Sequence, residues 1–136
     1  MFENKLVAIL NKEIDQGVAM NALAHMSLGL GGDKDKVNLR LDTYTDANGN
    51  VYPNISQIPF IVLRGKSNEI RKLVDCARTN GMRHTVFLNT MTGGGYQEQI
   101  ERTSHTNESD LTYYGCALFG SWDKVSELTK RFSLWK

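Results

Sequence analysis

The sequence is poor in the features that mark disulfide-stabilised, metal-binding or membrane-spanning proteins. It has only two cysteines, Cys76 and Cys116, in no metal-ligand spacing, which argues against a disulfide framework or a zinc knuckle. No run approaches the roughly 20 consecutive apolar residues that a membrane span needs, and the N-terminus has no apolar signal-peptide core. We therefore expect a cytoplasmic protein with no membrane association, no metal site and no cofactor.

An excess of charge of one sign is also missing. The chain has 16 basic and 15 acidic residues, interleaved along the sequence, and a formal net charge of +1. Such a chain has no global field that would draw nucleic acid onto its surface. Only a local basic rim remains as a site for phosphate groups.

What the sequence does contain is typical of a globular protein. Hydrophobic residues make up 40% and charged residues 23% of its 136 positions. A chain of this size buries roughly 65 to 70% of its unfolded surface, which is enough for one core. The sequence predicts a single domain over residues 1–136.

The first unit of the chain has the pattern of a strand, a loop and a helix. Residues 5–10 form a short continuous apolar run, as expected for a strand buried on both faces. From Val18 the apolar positions recur at helical spacing, and a glycine cluster over 29–32 predicts the end of that helix.

The remaining chain alternates further strands with helices. A turn signal over 46–50 predicts an exposed hairpin, inserted between residues 32 and 58. Further strands are predicted over 59–63, 84–88 and 111–119, and helices over 67–81 and 122–131, with Ser67 and Ser121 as their N-caps. This alternation predicts an α/β fold of three layers, α/β/α, with a four-stranded mixed, largely parallel sheet.

One segment carries a family resemblance. Residues 17–25 resemble the start of the first helix in type 2 peptidyl-tRNA hydrolases, Gly-Lys-x-Ala-Ala-Gln-x-x-His, with Gly17 and His25 at the two ends. The resemblance implies that family's fold. Two of the family's catalytic positions differ, because its lysine is Val18 here and its aspartate, counted from Gly81, is Asn89. Valine offers no charge and asparagine cannot serve as a carboxylate base.

A second pattern lies within the same helix. Residues 21–25 read Asn-Ala-Leu-Ala-His, which is similar to the Asn-x-x-Ala-His of the domain-of-unknown-function family two thousand. The chain is identified as a member of this uncharacterised family, which resembles the peptidyl-tRNA hydrolase type 2 fold. Membership implies the fold and no established activity.

The strongest candidate site is the pair Asn21 and His25. Because these residues are four apart on a helix, their side chains share one face and can meet a common ligand. In a functional pair, His25 would be the catalytic base and Asn21 its partner. The alternative is a structural, partly buried histidine that is bonded to a backbone carbonyl.

Two further groups are candidates for ligand binding. Asn89, Thr90 and Thr92 precede three glycines, so this loop could present an amide, hydroxyls and backbone N–H groups to an anion, or be an ordinary flexible loop. Lys12 and Arg64 follow or end predicted strands and could form a basic rim, or be solvated surface charges.

Three functions fit these observations. The first is binding of a small or RNA-derived ligand around Asn21, His25 and Asn89, without the standard hydrolase residues. The second is a peptidyl-tRNA hydrolase-like esterase with a rearranged active site. The third is a non-catalytic interaction module that works as a homo-oligomer, most simply a dimer.

Overall fold

Strands and helices alternate along the chain. The computed structural model describes residues 2–33, 35 and 37–136. The elements are β1 (Asn4–Asn11), α1 (Gln16–Gly31), β2 (Leu41–Thr45), β3 (Val51–Ser56), β4 (Phe60–Gly65), α2 (Ser67–Thr79), β5 (Arg83–Leu88), α3 (Tyr96–Ser104), β6 (Tyr113–Ser121), α4 (Trp122–Thr129) and β7 (Ser133–Leu134). Short 3-10 turns lie at Asn89–Met91 and Glu108–Asp110. No helix in the described part of the chain is both long and apolar enough to cross a bilayer.

The main sheet has five strands in the order β5-β6-β1-β4-β7. β1 and β4 run parallel, whereas the pairs β1–β6, β5–β6 and β4–β7 are antiparallel. The expected α/β class and mixed sheet are confirmed. The expectation of a four-stranded, largely parallel sheet is wrong.

The physical reason for this difference is strand adjacency. β5 runs in the same direction as β1 and β4, as the helical crossovers predict, but it lies at the far edge of the sheet. β6 enters between β5 and β1 and runs antiparallel to both. Strand direction follows from local connections, whereas adjacency follows from long-range pairing that the sequence pattern does not contain.

The sheet has a separate core on each of its faces. Because side chains alternate along a strand, Leu6, Ala8 and Leu10 of β1 pack with α1, whereas Val7 and Ile9 pack on the face of α2 and α4. α1 contributes Ala19, Ala22, Met26 and Leu30 to the first core. The closest approach is at Gly115, where an added Cβ would lie 2.6 Å from Met26 Cε and 3.1 Å from the Ile9 carbonyl oxygen. The glycine thus lets α1 lie directly on β6.

Of the two N-cap residues predicted from the sequence, Ser121 is confirmed and Ser67 is wrong. Ser121 caps α4 as expected, since its Oγ accepts a hydrogen bond from the Lys124 N–H at 3.4 Å. Ser67 is the first residue of α2 rather than its cap, and its Oγ accepts from the Tyr113 N–H at 2.8 Å. The cap of α2 comes from Glu69, whose carboxylate accepts from the Lys66 N–H at 2.9 Å.

The predicted hairpin forms from β2 and β3. These strands pair with each other in a separate two-stranded sheet. Asp46 organises the turn, accepting hydrogen bonds from the Asn48 and Asn50 N–H groups at 2.9 Å and from the Tyr52 hydroxyl at 2.7 Å. These bonds, led by that of Tyr52, lower the pKa of Asp46 to about 2.

Candidate functional site

A cleft of about 1100 Å³ lies between α1, β5 and α3. Its walls are the first half of α1, the second half of β5, the loop that follows β5, and the inner side of α3. It is lined by Gly17, Val18, Asn21, His25, Met26, Thr85, Val86, Phe87, Met91, Thr92, Gly93, Tyr96, Gln99, Ile100, Thr103 and Ser104. The volume is slightly above the usual range of small-molecule sites, which is about 300 to 1,000 Å³.

The α1 wall contains the predicted pair. Asn21 and His25 are both exposed and both line the cleft. The imidazole of His25 stacks on Phe87 of β5, with ring centroids 5.8 Å apart and an interplanar angle of 25°. Val18, at the position of the hydrolase lysine, adds an apolar surface to the same wall. The structure thus places the pair on an open face, where His25 is exposed rather than partly buried.

The β5 wall is fixed to α1 by a threonine. The Thr85 hydroxyl donates a hydrogen bond to the Met26 carbonyl oxygen at 2.9 Å, across 59 positions of sequence. The same side chain lies against Gly29, where an added Cβ would be 3.3 Å from Thr85 Cγ2. This contact sets the distance between helix and strand, and hence the width of the cleft floor.

The predicted loop residues have different roles. Asn89 does not line the cleft, because its N–H donates to the Thr112 carbonyl oxygen at 3.0 Å and its Oδ1 accepts from the Thr112 N–H at 2.9 Å. Thr90 is buried, and its Oγ1 accepts from the Thr103 hydroxyl at 2.8 Å. Thr92 does line the cleft, and its hydroxyl donates to the Asn89 carbonyl oxygen at 2.8 Å.

The predicted basic rim lies elsewhere. Lys12 and Arg64 are exposed and stand outside the set of residues that line the cleft. Lys12 follows β1, where its N–H donates to the Gly65 carbonyl oxygen at 3.0 Å, and Arg64 lies on β4. The structure therefore does not bring these cations together with Asn21 and His25 in one cleft.

The α3 wall was missed from the sequence. Four side chains of α3 face the cleft, although this polar stretch of the sequence predicts no site residue: Tyr96, Gln99, Ile100 and Thr103. The available signal was the pair Tyr96 and Ile100, two large apolar residues four apart in an otherwise polar stretch. They are 70% and 52% exposed although they line a cavity.

An arginine attaches α3 to the preceding loop. The Arg102 guanidinium donates to the carbonyl oxygens of Thr92 at 2.7 Å and Gly93 at 3.2 Å. Gln99 Nε2 donates to the Gly93 carbonyl oxygen at 3.3 Å. Gly93 and Gly94 both have a φ of 73°, a backbone conformation that favours glycine. The glycine run therefore makes the turn that places α3 opposite α1.

The cleft is electrically neutral. Among the described residues that line it there is no lysine, arginine, aspartate or glutamate. Within the same part of the chain, no three His, Cys, Asp or Glu side chains are placed to hold a metal ion. The chemistry available is that of amides, hydroxyls, one imidazole and apolar surface.

The residues with clearly shifted pKa values lie outside the cleft. Glu108 accepts a hydrogen bond from the Tyr113 hydroxyl at 2.8 Å and forms an ion pair with Arg71 of α2. The hydrogen bond from Tyr113 is the main cause that lowers the pKa of Glu108. Burial, followed by the bond to Glu108, raises the pKa of Tyr113 to about 12. This cluster joins the segment after α3 to α2.

Comparison with known proteins gives a family and a fold. No match is found among curated proteins. One similar solved structure is a protein of unknown function from Agrobacterium tumefaciens strain C58, with a TM-score of 0.83, 22% identity and complete coverage of both chains. At this identity the likeness shows the fold alone. The predicted resemblance to type 2 peptidyl-tRNA hydrolases stays a prediction. The family model described as protein of unknown function (DUF2000) matches residues 4–136, and the chain therefore belongs to this family.

Proposed function

We propose that the protein binds a small, uncharged and largely apolar molecule in the cleft between α1, β5 and α3. The observation that carries the proposal is a cleft of about 1100 Å³ that has no permanently charged side chain among its described lining residues. Sites for small molecules are typically concave and mostly apolar, with a few polar groups that set orientation.

The apolar contacts would come from two opposite walls. The exposed ring of His25, which is stacked on the buried Phe87, offers a flat surface on one side. Tyr96 and Ile100 stand on the other side and are largely exposed to water in the absence of a ligand. Covering roughly 100 Å² of this surface would contribute about 2.5 kcal/mol to binding. An aromatic molecule fits this arrangement best, since it can stack on the first wall.

The polar contacts would come from α1. The Asn21 amide can donate and accept, and His25 can do either through its two ring nitrogens. Both side chains are exposed on the cleft wall, so a ligand can reach them directly. A ligand with one carbonyl, hydroxyl or ring nitrogen would therefore be oriented by these two residues.

The charge of the cleft lining supports one ligand class over the others expected from the sequence. A phosphate-bearing, RNA-derived ligand would need cations, and Lys12 and Arg64 lie outside the cleft. A rearranged hydrolase would need a group to orient His25 as a base, and the described lining offers no carboxylate for that purpose. A neutral small molecule is therefore the ligand that the geometry supports best.

A pair of matched fluorescent probes tests this proposal. N-phenyl-1-naphthylamine is neutral, and 8-anilino-1-naphthalenesulfonate has the same aromatic rings with an added sulfonate. We expect saturable binding of the neutral probe, about tenfold or more tighter than that of the anionic probe, because desolvating an unpaired charge is costly. The protein variant with both Tyr96→Ser and Ile100→Ser should lose most of this binding.

A control variant separates the cleft from general surface hydrophobicity. Leu134→Ser removes an exposed apolar side chain of β7, away from the lining residues, and should leave probe binding unchanged. The proposal fails if the neutral probe does not saturate, if the sulfonate binds equally well, or if Leu134→Ser weakens binding as much as the double α3 variant does.

A further inference from the structure

The hairpin of β2 and β3 exposes large apolar side chains on both of its faces. Tyr44 and Tyr52 are directly paired on one face, next to Ile55, whereas Leu41 and Val51 lie on the other. All five are between 52% and 60% exposed. Of the two strands, only Ser56 is even partly covered. A two-stranded hairpin with an uncovered apolar surface is marginally stable in water on its own.

The hairpin is nevertheless ordered by local polar contacts. The carboxylate of Asp46 holds the turn through Asn48, Asn50 and Tyr52, and the Gln57 N–H donates to the Arg40 carbonyl oxygen at 3.1 Å at its base. The arm is therefore presented in one shape before any partner arrives. This lowers the conformational entropy that its burial would cost.

The outer face of α1 is a second uncovered apolar surface. Met20, Ala24 and Leu28 are four residues apart and exposed, Met20 by 62% and Leu28 by 74%. The helix has no charged residue over its 16 positions. Large apolar side chains that recur on one exposed helix face are typical of a surface that meets another molecule.

We propose that these two surfaces cover each other in a twofold homodimer, in which the hairpin of one copy packs on the outer face of α1 of the second copy. Two reciprocal contacts of the same kind are what a twofold axis requires. One face of the hairpin (Tyr44, Tyr52 and Ile55) and the face of α1 (Met20 and Leu28) together contain five apolar side chains, each with roughly 100 Å² uncovered, or about 500 Å² per copy. Two copies would bury about 1,000 Å² in total, which is the lower limit for a specific interface.

Charge favours a second copy over a lipid surface. The tip and one face of the hairpin carry Asp46 and Asp42, which anionic lipid would repel, and α1 has no basic residue to attract it. The uncharged face of α1, in contrast, has no negative charge to repel Asp42, whose carboxylate already accepts a hydrogen bond from Gln57 Nε2 at 3.0 Å. The proposal is independent of the cleft, whose lining residues do not include the five hairpin side chains, Met20 or Leu28.

The oligomeric state of the full chain tests the proposal first. Light scattering coupled to size exclusion should give twice the chain mass of 15.3 kDa at micromolar concentration. The variant Tyr44→Ser with Ile55→Ser and the variant Leu28→Lys should each raise the dimer dissociation constant about tenfold or more. Circular dichroism checks that both remain folded. Leu134→Ser, which removes an exposed apolar residue outside both patches, should remain dimeric.

A cross-link formed between copies tests the geometry. In a Cys76→Ala background, which removes the exposed native thiol, protein with Leu28→Cys is mixed with protein carrying Tyr52→Cys. We expect a disulfide-linked heterodimer on mild oxidation. A monomeric wild type at high micromolar concentration would overturn the proposal, and so would a dimer that both patch variants leave intact. Binding of a monomeric wild type to phosphatidylcholine vesicles would also overturn it, by assigning the patches to lipid.

Discussion

The helices α1 and α2 cover opposite faces of one sheet but differ on their outer surfaces. The exposed side of α2 carries Lys72, Asp75 and Arg78, and the last two form an ion pair at 3.2 Å. The exposed side of α1 carries methionine, alanine, leucine, asparagine and histidine, with no charge over 16 positions. The outer surface of α2 is built to meet water, whereas that of α1 has the composition of a surface that meets another molecule.

The two proposals follow from this difference. One edge of α1 borders the neutral cleft through Asn21 and His25, and its outermost edge carries Met20 and Leu28. A ligand would cover the first edge and a second copy the other. The cleft at the end of α2, lined in part by Ala77 and Arg78, is smaller, at about 490 Å³, and the interior side of this helix is buried in the core through Ile70, Leu73 and Val74.

The largest effect is expected from a pair of glycines on β6 that face the two helix layers. Gly115→Ala would place a Cβ 2.6 Å from Met26 Cε and 3.1 Å from the Ile9 carbonyl oxygen, so the buried Met26 side chain must move beside a backbone atom that has little freedom. We expect a loss of about 2 kcal/mol in the free energy of unfolding, measured by urea denaturation. At Gly120 the added Cβ would be 3.2 Å from Met82 Cε and 3.5 Å from Val125 Cγ2, with no backbone atom among its nearest contacts, so Gly120→Ala should change stability by less than about 0.5 kcal/mol. Equal effects at the two glycines would contradict the tighter packing of α1.

A smaller effect is expected from the charged cluster on the α2 side. The folded state lowers the pKa of Glu108 from its ordinary value of 4.5, chiefly through the Tyr113 hydroxyl. The resulting stabilisation is present in full above that ordinary value and is lost as the pH falls through the lowered one. Tyr113→Phe should therefore be less stable than the wild type at pH 7, with a smaller difference near pH 3. Urea denaturation at a series of pH values measures this difference, and a gap that is independent of pH would contradict the assignment.

Much of the fold could be predicted from local patterns. The apolar run of β1, the glycine stop after α1 and the turn of the hairpin are each decided by residues close in sequence. The position of β6 between β5 and β1 could not be predicted, because it depends on pairing across the whole chain. The strand β7 has only two residues, which is too short for an alternating pattern in the sequence.

The candidate site was predicted in part, for a similar reason. Helical spacing alone places Asn21 and His25 on one face, and the structure has them on the cleft wall. The position of Asn89 after Gly81 predicts a ligand-binding residue, but its side-chain oxygen accepts a hydrogen bond from the Thr112 N–H. The apolar pair Tyr96 and Ile100 is visible in the sequence, but the position of α3 opposite α1 is not, since it depends on the Arg102 contacts to loop carbonyls.

Hydroxyl-radical footprinting of Met20 on α1 and Tyr96 on α3 tests most directly the claim that the outer face of α1 and the cleft beside it are surfaces to be covered. Both side chains are largely exposed in the isolated chain and should be oxidised readily in dilute, ligand-free protein. We predict that raising the protein concentration protects Met20 and that the neutral probe protects Tyr96. Oxidation of both residues at unchanged rates, with the dimer and the probe complex otherwise formed, would contradict the account.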